Sequence, residues 1–122
     1  MKIIKNNIIP FGYSKYINLF GIIFTKSKNL ILKPVEENHE SIHTLQMKYL
    51  LYIFFYIFYG IEWVLKIIPS ILLDRGRFGI LQYAYRSISF EQQAYYNENN
   101  LKYLKTANPY EWNKYIFKMY KE

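Results

Sequence analysis

The only two histidines of this 122-residue chain, His39 and His43, stand four residues apart with Glu40 directly after the first, in the stretch His-Glu-Ser-Ile-His. At 3.6 residues per turn, a helix carries both imidazoles on one face, one above the other, where they can reach a single metal ion. Glu40 points about 100° away round the same helix. From there its carboxylate can hydrogen-bond a metal-bound water without ligating the metal, which makes it the natural general base. The His-Glu-x-x-His spacing is therefore a zinc-site signature, and the chemistry it suggests is hydrolysis.

Two histidines hold zinc weakly, and a catalytic site takes three protein ligands plus a water. The chain has no cysteine, so the third ligand must be a carboxylate: eight glutamates and Asp74 are available. Glu36 and Glu37 lie close in sequence but point elsewhere on the motif helix, and Glu62, nineteen residues past His43, is out of reach without a sharp fold-back. Glu91 and Glu98 sit on a separate helical stretch. Glu91 is favoured, because Ala94 about one turn later lets that stretch approach the motif helix closely. Tyr85, Arg86 and Tyr95 are candidates to stabilise a transition state.

The elements that must position these residues follow from local pattern. Residues 1–33 read as short strands and turns: Ile3-Ile4, a turn at Pro10-Phe11-Gly12, a β-branched and aromatic strand over 16–25, and a hairpin through 26–29 to Leu30-Ile31-Leu32. Pro34 suits the first turn of a helix, with Glu36 and Glu37 complementing its N-terminal end. The helical pattern continues to Ile68. A single helix of that length is too long for a domain of this size, so a break near Gly60 or a second helix folded back is expected. Residues 69–78 read as a connection. A last helical region over 88–120 starts at Ser89, an N-cap with Gln92 at the capping-box position, runs to about Leu104, and ends in a short aromatic helix over 110–120. The expected fold class is α+β: small N-terminal antiparallel strands and then a mostly helical core, all in one compact domain spanning 1–122.

The stretches NHESIHTLQMKYL (38–50) and AYRSISFEQQAYYNENN (84–100), with the aromatic run between them, resemble a family of small bacterial zincin-like metallopeptidases. A motif helix plus a downstream glutamate on a second helix is similar to the gluzincin arrangement. The resemblance implies Zn2+ as cofactor, His39, His43 and Glu91 as its ligands and Glu40 as catalytic base; it brings no established substrate, and a peptide or protein is the expected one. An edge strand within 17–25 could hold that substrate in extended form.

Composition narrows the remaining choices. The formal net charge is +7, and six lysines precede the first acidic residue, Glu36. These lysines are spread singly among apolar residues and no nucleic-acid motif accompanies them, so a solvated basic edge is the expectation and nucleic acid is not an expected partner. The N-terminal stretch is interrupted by Pro10, Gly12 and Lys15 and does not read as a signal peptide, which points to a cytoplasmic location. Residues 49–73 are the exception: thirteen uncharged residues from Tyr49 to Ile61, then Glu62 and Lys66 within a second apolar patch. The uninterrupted run is shorter than a membrane span requires, so a buried core helix is the first reading. Membrane association through 49–73, with the chain acting as a non-catalytic, metal-containing binding protein, is the alternative.

Overall fold

The computed structural model describes residues 1–10, 15–73 and 79–121. Three strands come first, β1 (Ile3–Lys5), β2 (Tyr16–Leu19) and β3 (Ile22–Thr25), followed by helices α1 (Pro34–Tyr49), α2 (Ile53–Leu73), α3 (Ile80–Ser87) and α4 (Ser89–Asn97) and two short 3-10 turns over Tyr103–Lys105 and Glu111–Tyr115. The class is α+β, as the sequence predicts.

The sheet differs in detail from the expected one. The segment 16–25 folds on itself, because Phe20 and Gly21 both take positive φ (56° and 87°) and form a two-residue turn that matches the twist of the flanking strands. Gly21 is required twice: by its φ, and by its approach to α1, where an added Cβ would meet Thr44 Cγ2 at 3.1 Å. The Asn18 side chain accepts the Gly21 N–H and donates to the Glu40 carbonyl, which straps the hairpin onto the motif helix. Leu30-Ile31-Leu32 forms no strand. The third strand is β1, which pairs with β3 in parallel, giving the order β1-β3-β2 and leaving β2 at an edge. Of the expected turn at 10–12, residues 11 and 12 lie outside the described residues.

The long helical region breaks at 50–52, ten residues before Gly60, with Leu51 and Tyr52 at φ 55° and 62°. Their left-handed backbone ends α1 and sends α2 off in a new direction. Helix α2 then continues through Gly60 and past Pro69 to Leu73, so the connection expected over 69–78 is helix in its first half. The second half, 74–78, is outside the described residues. Directly after the missing Pro69 N–H, Ser70 Oγ donates to the Lys66 carbonyl at 2.7 Å.

Helix α4 begins at Ser89 as expected, but its N-cap is Ile88. The group that holds this helix end comes from α2: Glu62 accepts the Ser89 N–H at 2.5 Å and its hydroxyl at 2.6 Å. A carboxylate at a helix N-terminus satisfies orphan N–H donors and complements the helix dipole. Two residues further on is Glu91, so Glu62 sets the start of the helix that delivers it without approaching the metal-type cluster. Helix α4 ends at Asn97, earlier than the expected Leu104, and the expected helix over 110–120 is a 3-10 turn ending at Tyr115. The Asn38 side chain reaches across from α1 to the carbonyls of Glu98 and Asn100, which fixes the far end of α4 against α1.

Candidate metal centre

His39 and His43 lie on the face of α1 that packs against α4, and Glu91 projects from the first turn of α4 to meet them. All three are buried. His39 Nε2 and His43 Nε2 are 3.2 Å apart, and each is 3.1 Å from the same Glu91 oxygen, Oε1. A tetrahedral zinc ion with bonds of about 2.0–2.1 Å spaces its ligand atoms roughly 3.3 Å apart. The three atoms thus form a triangle of the size that zinc requires on one face of its coordination shell.

The outward-facing atoms decide which protonation states the triangle can hold. His39 Nδ1 contacts the Glu98 carboxylate at 2.7 Å. A carboxylate can only accept, so Nδ1 carries a proton, and in the neutral ring Nε2 presents a lone pair. For His43 the same result comes through a longer chain. The Trp112 backbone N–H must donate, and it reaches Gln93 Oε1 at 3.1 Å, which fixes that amide; Gln93 Nε2 donates to Tyr103 Oη and to the Asn108 carbonyl. Gln46 therefore turns its Nε2 to Gln93 Oε1 and the Phe90 carbonyl, and its Oε1 to His43 Nδ1 at 2.8 Å. His43 Nδ1 is then the donor, and in the neutral ring its Nε2 is bare.

Two nitrogen lone pairs and a carboxylate oxygen converge on one buried point, and such a group repels itself unless a cation occupies it. The cation is either a metal ion or protons on the rings. Without metal, burial works to lower the His39 pKa, but its hydrogen bonds to Glu91 and Glu98 outweigh this and push it up to about 10. Burial likewise opposes charge on His43, and the Glu91 carboxylate overcomes it and raises that pKa too. Burial works to raise Glu91, but the two imidazoles hold it well below the usual carboxylate range. The residues present fit a zinc ion: two imidazoles that in the neutral state have the correct tautomer, one carboxylate, no thiolate, an acceptor behind each imidazole and a donor behind the carboxylate. The remaining Glu91 oxygen completes this outer layer, accepting from Tyr59 Oη at 2.5 Å.

The cluster is open on one side. His43 and Glu91 reach the wall of a cavity of about 510 Å³, and Glu40, Tyr16, Asn18 and Tyr85 also line it. Glu40 is half-buried, and its charge acts on both imidazoles. Of the three residues considered for transition-state stabilisation, Tyr85 lines this cavity. Tyr95 and Arg86 instead support a ligand from behind: the Tyr95 ring meets the His39 ring edge-on at 4.6 Å, and the Arg86 guanidinium lies 4.5 Å over the Tyr95 ring. Glu98, the other carboxylate considered as third ligand, holds the far side of His39, and Glu62 caps α4.

Sequence reasoning passed over Gln46 and Tyr59. Gln46 had a usable signal, since it follows His43 by three residues on the same helix face and is a polar residue in an apolar stretch. Tyr59 had none among fourteen tyrosines. No family model matches the chain, and no curated protein or solved structure matches it either.

If this ligand order holds, zinc affinity should fall most for Glu91→Ala, by about 10- to 100-fold for Gln46→Ala or Glu98→Ala, and very little for Glu62→Ala. Competition with a chromophoric chelator measures the series. Retention of zinc by Glu91→Ala alongside its loss in Glu98→Ala would reverse the ligand assignment.

The pH dependence of stability should also change with metal. The raised His39 pKa stabilises the metal-free fold fully below its ordinary value of 6.5, and that contribution is lost as pH rises towards about 10. The lowered Glu91 pKa contributes above its ordinary 4.5 and is lost as pH falls further. Metal-free protein should therefore draw most stability from this cluster between pH 4.5 and 6.5. Zinc competes with the same protons, so the stability it adds should grow from pH 6.5 upward. Urea unfolding at a series of pH values, with zinc or with chelator, checks this; parallel curves would contradict it.

Proposed function

We propose that the chain is a zinc-dependent hydrolase, specifically a small metallopeptidase of gluzincin type acting on peptide or protein substrates. The observation that carries this reading is the 3.1–3.2 Å triangle of His39 Nε2, His43 Nε2 and Glu91 Oε1, held at the wall of a cavity that Glu40 shares. A purely structural zinc site is closed by a fourth protein ligand, whereas a catalytic one keeps a position open. Among the described residues the cluster holds three His or carboxylate ligands and faces a cavity.

Zinc, when bound, supplies Lewis acidity, lowering the pKa of water and polarising a carbonyl group. The chain's own residues do the rest. Glu40, next to the first ligand in sequence and lining the same cavity, takes the proton from the attacking water and returns it to the leaving amine. Gln46 and Glu98 keep both Nε2 lone pairs directed inward throughout, and Tyr59 holds Glu91 by its second oxygen. Tyr85, which lines the same cavity, is the residue we assign to the developing oxyanion. Strand β2 borders the same cavity through Tyr16, Ile17 and Asn18 and is an edge of the sheet, so an extended peptide can lie along it.

Glu40→Gln separates metal binding from turnover, because it keeps the shape of the side chain and removes the base. Zinc content should stay near that of the wild type while hydrolysis of a peptide library falls by roughly 100-fold or more. Equal cleavage by both proteins would remove Glu40 from the mechanism. A zinc-loaded wild type that cleaves nothing would favour a metal-containing binding protein instead.

A further inference from the structure

Helix α2 is inverted in polarity relative to a helix on the surface of a water-soluble domain. Its inward face carries Tyr59, Glu62, Lys66 and Ser70, all engaged in hydrogen bonds. The Lys66 ammonium is nearly inaccessible: it donates to the carbonyls of Ser87 and Lys118 at 2.6 Å and lies 3.6 Å from Glu62. The outward face carries Phe54, Phe58, Ile61, Leu65, Ile68 and Leu72, each between 44% and 78% exposed. With Ile53, Ile57, Val64 and Ile71 they cover an arc of roughly 140° at 100° per residue, and no side chain in that arc has a nitrogen or oxygen atom. The turn leading into α2 extends this surface, with Leu51 exposed in a left-handed conformation that Gly or Asn would ordinarily fill. The interior is polar to match: among the described residues, thirteen polar or charged side chains are buried against nine apolar ones.

We propose that this face of α2 seats against the hydrocarbon of a lipid bilayer. Three observations favour lipid over a protein partner. Protein interfaces carry about one hydrogen bond per 100–200 Å², and this surface offers no side chain that could make one. A helix seam that pairs with a second copy is a narrow stripe flanked by charged positions, whereas here the flanks are Ile57, Val64 and Ile71. The helix is 21 residues long, its most apolar 18-residue window has a mean hydropathy of 1.5, and only 11% of that window is buried in the protein. The net charge of +7 adds attraction to anionic headgroups. The inference is independent of the metal centre, which lies on the other side of α2.

The test is flotation of the purified full chain with vesicles of phosphatidylcholine containing a minor share of phosphatidylglycerol, at low and high salt. Wild type should float under both conditions. The double variant Leu65→Glu/Ile68→Glu should lose vesicle affinity on the order of 100-fold, because it puts two carboxylates into hydrocarbon. Circular dichroism and an unchanged urea-unfolding midpoint show that the variant is folded, and Ile31→Glu, at an exposed apolar residue outside α2, should bind like the wild type. Binding abolished by high salt and unchanged in the double variant would mean adsorption through lysines and overturn the proposal. So would a wild type that stays monodisperse without lipid or detergent and does not float, a wild type that dimerises through this face and does not float, or a loss in Ile31→Glu equal to that in the double variant.

Discussion

Two imidazole nitrogens and one carboxylate oxygen stand within 3.2 Å of one another in the interior of this protein, and with both rings neutral all three present lone pairs. That arrangement is electrostatically unfavourable unless positive charge sits among them, and much of the surrounding structure serves to maintain it. Helix α1 supplies two of the atoms through the four-residue spacing of its histidines. Helix α4 supplies the third, and its position depends on Glu62 at its start and Asn38 at its end. The buried glutamines, which look costly in a small core, form a chain from the Trp112 backbone to His43 that leaves one tautomer available. A buried polar network is tolerable only when every member is satisfied, and here the satisfied network directs the lone pairs inward.

The same residues explain how far the sequence could be read. Pro34 and the two glutamates after it mark the start of α1 by local chemistry, and the helix starts there. The candidate ligand set could be assembled from spacing and elimination, since a chain without cysteine and with two histidines leaves few combinations, and the structure brings His39, His43 and Glu91 together. What escaped depends on tertiary context. The α1–α2 break falls on Leu50-Leu51-Tyr52, which contains no glycine, proline or asparagine, so no local signal announces it. The hairpin turn at Phe20-Gly21 was hidden inside a run of good strand formers. Ser89 reads as a cap from its type, yet α4 is held by a side chain twenty-seven residues away in sequence. Gln46, Tyr59 and Glu98 acquire their roles only once α1, α2 and α4 are packed.

Helix α2 links the two halves of the account. Its inward face closes the metal-type cluster through Tyr59 and caps α4 through Glu62, while its outward face is aliphatic and aromatic throughout. Read from sequence, Glu62 and Lys66 interrupt an apolar run and argue against lipid. In the fold, both turn inward and are hydrogen-bonded, so they no longer weigh against it.

The central claim is that both histidines present Nε2 to a shared zinc ion while keeping a proton on Nδ1. Long-range proton–nitrogen correlation spectra of the nitrogen-labelled protein, recorded with zinc and after chelation, test it most directly. The account predicts that, with zinc, both rings show a protonated Nδ1 and a metal-ligating Nε2, and that chelation moves the Nε2 signals far more than the Nδ1 signals. Spectra unchanged by zinc, or either ring ligating through Nδ1, would contradict it.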